Sequence, residues 1–134
     1  MFQLHPQLAA DTLLLGDWPL SQVLLMNDAN YSWLVLVPRR AGIREVIDLA
    51  LPDRALLWQE VDRASATMAT VTQPDKINIG AIGNLVAQLH VHVVARRRSD
   101  PAWPRPVWGA APAQPYAADR GADEVARWRR ALGL

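Results

Sequence analysis

The chain has 134 residues, about half of them hydrophobic and a fifth charged, the balance of an ordinary globular domain. Fourteen Lys and Arg stand against thirteen Asp and Glu, so the formal net charge is +1 and bulk charge points to neither a nucleic-acid nor a membrane partner. With no cysteine, disulfides, thiolate nucleophiles and cysteine-bound zinc are excluded, and a reducing, cytoplasmic setting is the expectation.

Residues 2–11 are mixed, and Pro6 disfavours a long regular element there. The start lacks the basic region and apolar run of a signal peptide. Apolar stretches such as Leu34–Val37 are far too short to span a bilayer. Thr12–Trp18 reads as a strand ending at Gly16-Asp17, Gln22–Met26 as a second and Trp33–Val37 as a third, closed by Pro38. Between the last two, Asn27-Asp28-Ala29-Asn30 is a turn by composition, so the pair reads as a hairpin. Continuous apolar runs of this kind imply strands covered on both faces.

Arg44–Leu49 is a weak element, read as loop or short strand. Leu51-Pro52-Asp53 starts a helix, with Pro in the first turn and Asp53 near the positive end of the helix dipole. Leu57, Val61, Ala64, Met68 and Val71 recur at spacings of three and four, which predicts an amphipathic helix from Asp53 to about Val71. Lys76–Ile79 alternates as a strand, and Gly80 and Gly83 bracket a loop. Residues 99–116 hold five prolines with Trp103, Trp108 and Tyr116, and Gly121–Leu134 reads as a short final helix.

Between these lies Gln88-Leu89-His90-Val91-His92-Val93-Val94, the stretch that carries chemistry. Its alternation predicts a strand with Gln88, His90 and His92 on one face and Leu89, Val91 and Val93 on the other. A neutral imidazole is a good nucleophile toward phosphorus, and glycines just upstream would let backbone N–H groups approach an anion. Two strand histidines could instead be structural, or a metal pair lacking its third ligand. Arg96-Arg97-Arg98 is a solvated charge run by default, with a contact to a polyphosphate tail as the alternative. Trp103 and Trp108 could pack over a pocket or a partner.

The stretch resembles the motif of the histidine-triad family, His-φ-His-φ-His-φ-φ with φ apolar. Asn78-Ile79-Gly80-Ala81-Ile82-Gly83-Asn84 is similar to that family's lead-in, and Asn27-Asp28…Trp33–Arg39 to its nucleotide-side hairpin. The resemblance covers roughly residues 10–100 of one domain over 1–134, with 101–134 as a Pro/Trp-rich segment and C-terminal helix. It implies an α+β fold: an antiparallel sheet of about five strands, one long helix and a short C-terminal helix. It implies a small-molecule nucleotide as ligand and a homodimer paired through the long helix and the adjoining strand. The implied activity is hydrolysis or nucleotidyl transfer at the α-phosphorus of a nucleoside phosphate anhydride or phosphoramidate, dinucleoside polyphosphates among them. On that reading His90 is the nucleophile, and His92 with N–H groups near Gly83 and Asn84 supports the phosphoryl oxygens. Asn27, Asp28 and Asn78 bind substrate. No metal or other cofactor is implied, although a polyphosphate could arrive bound to Mg²⁺. Gln88 stands where the family has its first histidine, and Leu85 where it has Ser or Thr. Gln can donate and accept hydrogen bonds but cannot carry a proton. A nucleotide-binding module with little turnover and a small metal-dependent β-domain enzyme are the rival readings.

Overall fold

The computed structural model describes residues 1–134. A short helix α1 (Pro6–Asp11) opens the chain, Pro6 sitting in its first turn where a missing N–H costs nothing. His5 caps it, its Nδ1 accepting from the N–H of Gln7 at 3.0 Å. Then come β1 (Thr12–Asp17), β2 (Ser21–Met26), β3 (Ser32–Pro38), α2 (Leu51–Thr72), β4 (Lys76–Gly80), β5 (Val91–Arg96) and α3 (Ala118–Leu132). The five strands make one antiparallel sheet in the order β1-β2-β3-β5-β4, an α+β arrangement.

Both faces of the sheet are covered, as the unbroken apolar runs of β2 and β3 require. On one face Leu34, Leu36, Val91 and Val93 pack under Leu57, Val61, Ala64 and Met68 of α2 and Trp128 and Leu132 of α3. On the other, Trp33, Val35, Val37 and Val94 pack under Leu8 of α1 and Ala102 and Val107 of the proline-rich segment. Period-two alternation along β3 and β5 divides these sets. Glu60, buried on α2, accepts from the N–H groups of Leu20 and Ser21 and so ties the helix to the β1–β2 turn. Leu51 and Trp58 on α2 and Ile79 on the edge strand β4 stay exposed. No helix is long and apolar enough to cross a membrane.

Two expectations need correction. Residues Val46–Asp48 form a 3₁₀ turn rather than loop or strand, because the Asp48 carboxylate folds back to accept from the N–H groups of Arg44 and Glu45. The histidine strand begins at Val91, not Gln88. Its pairing runs out there: β4 ends at Gly80 opposite His92, and β3 continues to Pro38 beside β2 but pairs with β5 only as far as Leu36 opposite Val91. Before Val91 the backbone leaves the sheet, and Leu89 N–H donates to the carbonyl of Ile43.

Candidate active site on the β3–β5 seam

β5 presents His92 on the face opposite Val91 and Val93, and the alternation continues back far enough to set His90 beside it. The two rings lie 4.9 Å apart, nearly edge to face, and both residues are buried. Nδ1 of His90 is 2.6 Å from the carbonyl oxygen of Gln88. A carbonyl can only accept, so Nδ1 carries the hydrogen and Nε2 keeps its lone pair. Nδ1 of His92 instead faces a donor, the indole N–H of Trp33, at 2.9 Å. Burial first, and then the neighbouring His90, push His92 down to about 3, so it is uncharged at neutral pH.

Trp108 completes the surround. Its ring is 5.3 Å from that of His92 and 6.3 Å from that of Trp33. Gly80 makes room for it: a Cβ there would lie 3.1 Å from the indole, close enough that the ring would have to shift by a few tenths of an ångström. Gly80 therefore seats an aromatic ring, not an anion. Gly83 does open a loop, with φ +66°, and the N–H groups of Gly83 and Asn84 donate to no protein acceptor. His90, His92, Trp33, Trp108, Gly83 and Asn84 border a cavity of about 690 Å³, reached also by Asn27, Asp28, Met26 and Val107.

His90, His92, Gly83, Asn84, Asn27 and Asp28 thus meet at one cavity, as the sequence reading expects. Two predicted site residues do not join them. Gln88 is turned away: its Oε1 accepts from the N–H of His5 at 2.9 Å and its Nε2 donates to the carbonyl of Gln3 at 2.8 Å. The strand begins only at Val91, so Gln88 lies outside the row. Asn78 is taken by Arg96, whose Nη1 donates to its Oδ1 at 2.8 Å. Of the arginine run, Arg97 and Arg98 are exposed, as expected of a solvated face, but Arg96 is not. Arg96 is 2% exposed, paired with Asp100 and stacked over Trp103, and Arg97 donates to the carbonyl of Thr72.

The hairpin tip also differs from expectation. Asn27 Oδ1 accepts from Tyr116 N–H, and Asp28 Oδ1 accepts from the N–H groups of Asn30 and Gln114. The tip therefore holds the C-terminal segment as well as bordering the cavity, and a ligand could use only what remains of each side chain. Trp108 packs at the cavity, one of the two places expected of it, and Trp33 is the site residue that sequence reasoning missed. Trp33 reads as core strand; only its alternation with Val35 and Val37 hints at the face it shares with the histidines. No group of three His, Asp or Glu side chains is arranged to hold a metal ion.

A family model of the HIT domain matches residues 7–99. The chain belongs to the histidine-triad family. Among solved structures, a histidine-triad protein from Bradyrhizobium japonicum is 48% identical, with a TM-score of 0.91 over 98% of this chain and 96% of that one. One from Marinobacter aquaeolei VT8 is 45% identical, with a TM-score of 0.96 over 99% and 97%. A hypothetical histidine triad nucleotide-binding protein from Sulfolobus tokodaii shares the fold at 13% identity, with a TM-score of 0.68 over 91% and 84%. A comparison with curated protein sequences finds no match.

Proposed function

We propose that the chain binds a nucleoside phosphate and cleaves it at the α-phosphorus through a nucleotidyl-histidine. The observation that carries this reading is the hydrogen bond from Nδ1 of His90 to the Gln88 carbonyl, which leaves a bare Nε2 at the cavity. In the first step Nε2 bonds to phosphorus, and the bond from phosphorus to the leaving oxygen or nitrogen breaks. The leaving group departs with the bonding electron pair. In the second step water attacks phosphorus, the nitrogen–phosphorus bond breaks and the imidazole is regenerated, the water's proton passing to solvent. The unpartnered N–H groups of Gly83 and Asn84 would hold the charge that builds on the phosphoryl oxygens. The unused oxygen of Asp28 suits a sugar hydroxyl.

Gln88's position favours leaving groups that need no protonation, because no proton-carrying side chain replaces the first histidine. Anhydrides are therefore favoured over phosphoramidates. The same observation supports the rival, a nucleotide-binding module with little turnover. A panel of adenosine and guanosine polyphosphates and phosphoramidates, with products identified by mass, separates them. The expected outcome is a nucleoside monophosphate product and an adenylyl mass adduct on the protein. In His90→Ala the adduct should vanish and turnover should fall by about 10³-fold or more. Binding with neither product nor adduct would leave only the module. Activity abolished by a chelator on a metal-free substrate would replace the mechanism with a metal-dependent one.

A further inference from the structure

The two imidazoles of the site are neighbours with opposite hydrogen-bond partners. His90 Nδ1 meets a carbonyl, which can only accept. His92 Nδ1 meets the indole N–H of Trp33, which can only donate. An indole has no rotamer that turns it into an acceptor, unlike an amide or a hydroxyl. His92 must therefore present a lone pair at Nδ1, and its one hydrogen resides on Nε2.

The sheet holds this pairing in place. Trp33 lies opposite Val94, and Val35 opposite His92, so Trp33 and His92 are diagonal neighbours on adjacent strands, within reach of an aromatic side chain. The ring of His92 is 5.5 Å from that of Trp33, and Trp108 closes the other side. Trp33 is 7% exposed, and its indole is packed against Tyr31 and Trp108. The only titratable group that registers at His92 is His90.

We infer that Trp33 is the positioning residue that makes His92 a standing hydrogen-bond donor through Nε2–H, while the Gln88 carbonyl makes the adjacent His90 a standing nucleophile through bare Nε2. One protein thus holds two chemically identical side chains in opposite tautomers, sorted by one acceptor and one donor. This rests on the reaction assigned above for its catalytic meaning: a neutral donor beside the nucleophile faces the phosphoryl oxygens without repelling an incoming cation-bound polyphosphate or losing its proton. The tautomers themselves do not depend on that reaction.

The test uses the substrate-free, full-length protein labelled with nitrogen-15. Two-bond proton–nitrogen correlations of the imidazoles read which nitrogen carries hydrogen. His92 should show a bare Nδ1 and a protonated Nε2, and His90 the reverse. Two variants remove the indole donor: Trp33→Phe, and replacement of Trp33 by its benzothiophene analogue, which keeps the shape and exchanges N–H for sulfur. Both should let His92 populate the Nδ1–H form, with kcat down by about 10–100-fold and KM nearly unchanged. The isostere guards against a loss that merely reflects poor folding of Trp33→Phe. A protonated Nδ1 on His92 in the unaltered protein overturns the inference, as does an isostere that leaves tautomer and kcat untouched. The expected tautomers without turnover of any nucleotide would uphold Trp33's hold on His92 and overturn the reaction instead.

Discussion

Gln88 commits both ends of its amide to the chain's own N-terminal segment, at Gln3 and His5. Gln88→His should therefore not restore a third proton carrier. A single imidazole cannot replace both hydrogen bonds, and the pair lies at a half-exposed site, so the change should cost about 1 kcal/mol. Chemical denaturation measures the cost, and turnover should not rise. A tenfold gain in activity would mean that residue 88 reaches the cavity after all. His90 and His92 were legible as partners because two polar residues two apart on a strand must share a face. Trp33's bond to His92 was not legible. It depends on which residues of β3 lie across from β5, and a register between strands some 60 residues apart leaves no local trace.

At the scale of elements, the long helix was readable from its apolar stripe, while the segment after β5 was not. What orders that segment is a knot around Asp100, whose carboxylate takes two bonds from Arg96 and further bonds from the N–H groups of Arg97, Ala102 and Trp103. Read along the sequence, these are a charge run and a proline-rich stretch, and nothing local says that the cation is buried. The knot anchors the turn that leads to Val107 and Trp108 over the site. Asp100→Ala would leave Arg96 buried without its counter-charge, and a loss of about 3–5 kcal/mol is expected in denaturant unfolding. Burial pushes the Asp100 carboxyl up, but the Arg96 guanidinium and the three N–H groups outweigh it and bring it to about 2. Its stabilising effect is present above the ordinary value of 3.8 and is lost as pH falls from there toward 2.

The whole molecule carries a second acid-sensitive feature in a different window. His92 is held neutral down to about 3 against an ordinary value of 6.5. Between those values the unfolded chain binds a proton that the folded chain does not, so stability rises with pH there. It is full above 6.5 and falls as pH drops toward 3, by up to about 1.4 kcal/mol per pH unit. Denaturant midpoints measured across that range should decline in the unaltered protein and decline less in His92→Asn. An equal slope in both would mean that His92 is not the group responsible. The covering of both faces followed from apolar runs, whereas the order of strands in the sheet and the two-sided use of Asn27 and Asp28 could only come from the folded chain.

The stitching of both ends of the chain to its middle also bears on how the protein folds. Gln3 meets Gln88 across 85 positions, and the carbonyl of Leu132 accepts from the indole of Trp18 across 114. Neither closure can form from neighbouring segments, and each must wait for a long loop to shut. The hairpin of β2 and β3 can pair early, but its tip acquires its C-terminal partner only when residues 112–116 arrive. A chain still being synthesised would carry His90 and His92 unroofed until Val107, Trp108 and the rest of the segment to Pro115 arrive.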